Sequence, residues 1–147
     1  MLRYLLDTNL LLYCFDASAP SKQRRAFDVL AHVGTAPSAA LPAQALSEFC
    51  SVALRKLTPP LSPDETYRQV ELYAQVFPIF PLTPAVILEA IRGVRDHGFS
   101  YYDAQIWATA RLNQIPVVLS EDFPTGATIE GVQFLNPLEA TFDLGAR

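Results

Sequence analysis

Residues 3–15 read Arg-Tyr-Leu-Leu-Asp-Thr-Asn-Leu-Leu-Leu-Tyr-Cys-Phe, and this stretch decides the fold. A short apolar run ends at Asp7, and apolar character resumes from Leu10 to Phe15 at helical spacing, so the chain opens as strand, tight turn and helix. The alternation continues. Ser21 is a suitable N-cap for a helix through Ala26, Val29, Leu30 and Val33, with Gly34 a suitable stop. Ser38 to Leu41 predicts a second strand, and Pro42 opens a helix that Ala45, Leu46, Phe49, Val52 and Ala53 carry to about Leu57, ahead of Pro59 and Pro60. Pro63-Asp64-Glu65 begins another helix with acids in its first turn, and Pro78 to Leu82 is a short strand. Thr83 caps a helix whose Val86, Ile87, Ala90, Ile91 and Val94 face inward before Gly98. Ser100 caps one more through Ile106, Trp107, Ala110 and Leu112. Ile115 to Leu119 is a run of the fully buried kind, and Val132 to Leu135 is the last strand. Strands alternating with helices predict a three-layer α/β/α sandwich around a mostly parallel sheet, residues 1–147 forming one domain.

The composition narrows the function. The chain has 147 residues, half of them hydrophobic and 18% charged, which excludes disorder. Cys14 and Cys50 are too few for a disulfide scaffold and read as small buried hydrophobes in a reducing compartment. The N-terminus imitates a signal peptide up to Ala17-Ser18-Ala19, but Asp7 and Asn9 interrupt its apolar region and no run approaches a membrane span, so the expected location is the cytoplasm. Eleven Lys and Arg against fifteen Asp and Glu leave a net charge of −4, which argues against a passive phosphate-binding surface. An acidic protein still holds a phosphodiester where a bound metal inverts the local charge.

The placement of the acids therefore matters most. In open α/β sheets ligands gather beyond the carboxyl ends of the strands. Asp7 follows the first strand and Asp122 follows the buried strand in Val117-Val118-Leu119-Ser120-Glu121-Asp122. Singly, Asp7 also reads as a helix N-cap and Asp122 as a turn acid. Glu48 shares a helix face with Ala45 and Val52, bordering a buried stripe, and Asp103 stands three and four residues before Ile106 and Trp107. Together the four acids can converge at one end of the sheet. No Lys or Arg in these motifs offers neutralisation, and two carboxylates ~4 Å apart repel by roughly 4 kcal/mol at an effective dielectric near 20, so the cluster calls for protons or cations. Oxygen donors without His or Cys favour Mg²⁺ or Mn²⁺, and the implied chemistry is metal-assisted phosphodiester hydrolysis.

Other schemes fit less well. His32 and His97 read as surface or helix-end residues, and Cys14 and Cys50 lack an activating His. There is no P-loop and no dinucleotide fingerprint. Tyr101 and Tyr102 suit base stacking or rim packing alike. Arg24, Arg25, Arg55, Lys56, Arg92 and Arg95 are phosphate contacts or solvated helix faces. An aspartyl-phosphate mechanism is disfavoured, because Asp7-Thr8-Asn9 lacks a second Asp and neither Lys22 nor Lys56 lies at a strand end. A non-catalytic RNA-binding or scaffolding module on the same fold is the alternative from another class, although clustered negative charge gives such a surface nothing.

Leu6-Asp7-Thr8-Asn9-Leu10-Leu11, Gln44-Ala45-Leu46-Ser47-Glu48-Phe49, Ser100-Tyr101-Tyr102-Asp103-Ala104-Gln105-Ile106 and Leu119-Ser120-Glu121-Asp122-Phe123 resemble, in order, the acidic motifs of PIN-domain ribonucleases, above all the VapC-like toxins of type II toxin–antitoxin systems. The resemblance implies that Asp7, Glu48, Asp103 and Asp122 are the carboxylates of a Mg²⁺ or Mn²⁺ site, supported by Asn9 and Ser120. It also implies an endoribonuclease acting on structured cellular RNA, a cognate antitoxin covering the active-site groove, and a homodimer. The chain departs from the pattern at Pro42 and Ala43, where hydroxyl residues are common in the family, and the fourth acid is the most variable of the set.

Overall fold

A computed structural model describes residues 1–35 and 38–143. The elements are β1 (Tyr4–Leu6), α1 (Thr8–Tyr13), α2 (Pro20–Thr35), β2 (Ala39–Pro42), α3 (Ala43–Ala53), α4 (Pro63–Val76), β3 (Ile79–Phe80), α5 (Pro84–His97), α6 (Tyr101–Leu112), β4 (Val117–Leu119), β5 (Thr128–Ile129) and β6 (Val132–Leu135). The strands form one sheet in the order β3-β2-β1-β4-β6-β5, parallel except for β5, which runs antiparallel to β6.

Successive strand residues point to opposite faces, and this divides the core in two. Tyr4, Leu6, Leu41 and Leu119 pack with α1, α2, α3 and α4, where Leu10, Val29, Phe49 and Tyr73 meet them. Leu5, Ala40, Val118 and Phe134 pack on the other face with α5 and α6, through Val86, Ala90, Ile106 and Trp107. The result is the α/β/α sandwich. Every residue of β1 and β4 is buried because helices cover both faces. The apolar N-terminal stretch that imitates a leader is core: Leu5, Leu6, Leu10 and Leu11 are all buried. Among the described residues no helix is long and apolar enough to cross a membrane.

Several boundaries differ from the sequence reading. Helix α2 begins at Pro20, ahead of Ser21, and runs through Gly34 to Thr35. Pro42 ends β2 and serves as the N-cap of α3, extended at φ −74°, ψ 145°. Helix α3 stops at Ala53, since the N–H groups of Lys56 and Leu57 both turn back to the Val52 carbonyl and Leu57 folds into the core. The buried strand shortens to Val117–Leu119, because Gln114 has a left-handed φ of 57° and Pro116 carries no N–H. Glu130 and Gly131, both with positive φ, make the two-residue turn that pairs β5 with β6, a hairpin absent from the sequence reading. Thr83 accepts from Val86 N as a cap, whereas Ser100 sits at the N-cap of α6 without a side-chain bond.

The inward stripe on α5 is also narrower than its apolar residues suggest. Val86, Ala90 and Gly93 are buried, whereas Ile91 and Val94 are exposed, as is Leu112 on α6. Helix α5 lies so close to α6 that a Cβ on Gly93 would stand 2.8 and 2.9 Å from ring atoms of Trp107. That ring cannot retreat, because its Nε1 donates to the Ile129 carbonyl at 3.1 Å and Phe99 packs beside it. Gly93→Ala therefore costs about 1–3 kcal/mol of overpacking, more than the ~1 kcal/mol of helix propensity it gains. Denaturant unfolding is expected to show net destabilisation; a variant as stable as wild type would mean that the two helices separate without cost.

Candidate active site

The chain passes from β1 to β2 and β3 on one side, then returns to place β4 on the other side of β1. This reversal makes the carboxyl ends of β1 and β4 a topological switch point, where an open α/β sheet leaves a crevice. Asp7 N–H donates to the Leu119 carbonyl at 3.1 Å, and Ser120 N–H donates to the Leu135 carbonyl at 3.0 Å, so both strand ends are anchored before the chain turns away.

Asp7 is the N-cap of α1: its Oδ1 accepts from Thr8 N–H at 2.7 Å. Its Oδ2 accepts from the Ser120 hydroxyl, also at 2.7 Å. That hydroxyl oxygen in turn accepts from Asn9 Nδ2 at 3.2 Å and from Asp122 N–H at 3.0 Å, which uses its full hydrogen-bonding capacity. One hydroxyl thus ties Asp7, Asn9 and the turn carrying Asp122. Glu48 comes from α3, where Gln44 one turn earlier donates Nε2 to its Oε1 at 2.5 Å. The same amide reaches the Tyr102 carbonyl at 3.3 Å, which joins α3 to the first turn of α6 beside half-buried Asp103. Gln44 was not singled out in the sequence, although its position four residues before Glu48 on one helix face was the available signal.

Burial pushes the Asp7 carboxyl from the ordinary 3.8 up to about 6; the bonds from Ser120 and Thr8 oppose the rise, and the charges of Asp122 and Glu48 add to it. Asp122 and Glu48 are therefore near enough to act on Asp7. Asp103 makes no hydrogen bond to the other three. Among the described residues none of the four acids is in an ion pair.

Several cations are engaged elsewhere. Arg92 grips Glu89 with two bonds of 2.8 Å and Glu130 with two of 2.9 Å, Arg111 reaches Glu89 at 2.6 Å, and His97 joins Glu130 at 2.6 Å. Arg95 pairs with Asp96, and Arg25 donates to the carbonyls of Pro137 and Phe142. His97 is thus a cross-link to the β5–β6 turn as well as a helix-end residue. Burial pushes the Cys14 thiol up to about 12, so it is inert.

The donor set consists of carboxylate oxygens, which suits a hard divalent cation. In this geometry no group of three or more His, Cys, Asp or Glu side chains among the described residues forms a ready ligand shell. Burial is the largest cause of the raised Asp7 carboxyl and the charges of Asp122 and Glu48 add to it, a setting in which a nearby positive charge would favour the ionised form.

The sequence model of the PIN domain family matches residues 4–123. This chain belongs to the PIN-domain family. All four acids of this PIN domain, with Asn9 and Ser120, fall inside the matched span. The fold is similar to that of a chain from a toxin–antitoxin complex of Klebsiella pneumoniae, with TM-score 0.68 and 21% identity over 91% of this chain and 97% of that one. A chain of the DNA-bound VapBC of Salmonella typhimurium is similar at TM-score 0.64 and 16% identity, over 91% and 97% of the two chains. VapC20 of Mycobacterium tuberculosis, a sarcin–ricin-loop-cleaving toxin, is similar at 0.62 and 16%, over 88% and 98%. No curated protein sequence matches.

Between pH 3.8 and about 6 the unfolded chain ionises Asp7 while the folded protein keeps it protonated, so stability falls as pH rises through that window. The two-unit difference corresponds to roughly 3 kcal/mol lost by neutral pH. Asp7→Asn, in EDTA, is expected to be more stable than wild type at pH 7.5 and close to it at pH 4. A variant less stable than wild type at pH 7.5 would show that the carboxylate is compensated.

Proposed function

We propose that this PIN-domain chain is a metal-dependent endoribonuclease and the toxin of a toxin–antitoxin pair. The observation that carries the reading is buried Asp7 at the switch point with Asp122 and Glu48 near enough to act on it and, among the described residues, no cation paired to any of the three, in a protein that pairs Glu89, Asp96, Glu121 and Glu130. Asp7, Glu48, Asp103 and Asp122 would hold the ion, Mg²⁺ first and Mn²⁺ second. When bound, the metal polarises a phosphoryl oxygen and makes water a stronger nucleophile.

The protein's own groups do the rest. Ser120 and Thr8 fix the two oxygens of Asp7, Asn9 steadies Ser120, and Gln44 aims Glu48. A carboxylate free of ligation accepts the proton of the attacking water. Tyr102, 62% exposed beside Asp103, offers a face for an unstacked base, the form in which single-stranded RNA is recognised.

Two apolar surfaces support the expected partners. Phe27, Leu72 and Val76 are exposed along the groove between α2 and α4, which an amphipathic antitoxin segment would cover. On the opposite layer, Leu88 and Ile91 are 69% and 54% exposed on α5, a face suited to the same face of a second copy. Charging that face by Leu88→Glu with Ile91→Glu is expected to convert the dimer to a monomer in light scattering. Wild type that is already monomeric would refute the assignment.

Cleavage of a cellular RNA pool decides the main reading. Activity is expected with Mg²⁺ or Mn²⁺, not with EDTA, and to fall about 100-fold or more in Asp7→Asn and Asp103→Asn. Gln44→Ala and Ser120→Ala are expected to lose roughly 10–100-fold, the usual effect of groups that orient ligands. Tight RNA binding without cutting under any metal would favour a non-catalytic binding module.

A further inference from the structure

Between α1 and the C-terminal end of α3 lies a cavity of about 320 Å³, lined by Asn9, Leu12, Tyr13, Val52, Lys56 and Leu57. Asn9 belongs to it and to the candidate active site at once: its amide nitrogen holds Ser120, and its Oδ1 is buried with no hydrogen-bond partner. An unmet buried acceptor in a native fold calls for an explanation, and here it stands in the residue that joins the cavity to the candidate active site.

The cavity wall is preformed. Tyr13 donates its hydroxyl to Glu121 Oε1 at 2.6 Å, and Lys22 bonds the other oxygen of Glu121 at 2.6 Å while sitting 5.2 Å from the Tyr13 ring centroid. Glu121 lies between Ser120 and Asp122, so the turn that shapes the active site also locks this ring. Leu12, Val52 and Leu57 supply apolar surface. Lys56 is exposed and makes no hydrogen bond or ion pair among the described residues. Asp16 also borders the cavity, its Oδ1 accepting from the Ser18 backbone N–H at 3.1 Å and from the Ser18 hydroxyl, and its charge directs a phosphate to the Lys56 side. Apolar walls with an aromatic edge, a buried acceptor and one unpaired cation suit a nucleoside and its phosphate.

We propose that this cavity is a nucleotide subsite, seating in single-stranded RNA the nucleotide next to the scissile phosphodiester, its base against Leu12, Tyr13 and Val52 and its phosphate at Lys56. The proposal rests on the nuclease reading for its substrate, and the test separates the two.

The probe is a random-sequence 12-nucleotide RNA labelled at its 3′ end with fluorescein. Its binding is followed by anisotropy on the Asp7→Asn protein, alone and combined with Lys56→Ala or Val52→Trp; cleavage sites are mapped on the same pool with Asp7 intact. Lys56→Ala is expected to weaken binding roughly tenfold and to flatten the slope of log K against log salt by about 0.7, the contribution of one phosphate contact on a single strand. Val52→Trp fills the cavity and is expected to weaken binding to a similar degree with the slope unchanged, and to alter which sites are cut. If Lys56→Ala and Val52→Trp keep wild-type affinity, slope and cleavage sites while the Asp7-intact protein still cuts RNA, the subsite is wrong and the nuclease reading stands. If no RNA is cut with any metal but both variants still weaken binding, the cavity seats a nucleotide of single-stranded RNA as proposed, while its place beside a scissile bond and the nuclease reading fail together. Lys56→Ala changes an exposed side chain and decides the matter alone should Val52→Trp not fold.

Discussion

The side-by-side pairing of β1 with β4 carries the structure. Both strands are buried on both faces, and their register brings Leu6 opposite Leu119, so the next residues, Asp7 and Ser120, leave the sheet together. Had β4 been added at the outer edge of the sheet, Ser120 and Asp7 would be separated by whole strands. A helix on each face is what makes three-residue strands sufficient here, since burial and not ladder length supplies the stability.

The same pairing concentrates charge. A protein with four more acids than bases neutralises Glu89, Asp96 and Glu130 in a network on α5, α6 and the β5–β6 turn, and among the described residues leaves Asp7, Glu48 and Asp122 without an ion pair. This arrangement lowers stability. Burying Asp7 raises its carboxyl, and the charges of Asp122 and Glu48 add to the rise, so the ionised form of Asp7 is held at a cost to folding. Stability lost at one end of a sheet is a common accompaniment of a site shaped for chemistry.

Much of this was legible in the residues, for physical reasons. Alternating apolar runs and Pro, Ser or Thr starts announced the layers, because helices on both faces require those periods. The four acids stood out because each follows a strand or borders a buried stripe. What the chain order concealed was pairwise. The β5–β6 hairpin depends on Glu130 adopting positive φ, which a non-glycine residue does not advertise. Ile91 and Val94 have inward-looking spacing, yet Gly93 takes the contact face because Trp107 fills it. The bond from Gln44 to the Tyr102 carbonyl and the Tyr13–Glu121 bond join residues 58 and 108 positions apart, and no local pattern encodes them.

Helix α6 bears on the candidate site in another way. Ala104 through Ala110 are all buried, so the helix cannot shift without opening one half of the core. Asp103, at its first turn, is therefore set on a stiff support. Asp122 is exposed, yet its turn is held as firmly: Ser120 and Phe123 on either side are buried, and Glu121 is bound by Tyr13 and Lys22. In the proposed metal centre both acids would thus stand on supports fixed by the core. Such a centre would discriminate between ions of unequal radius and not adapt to them.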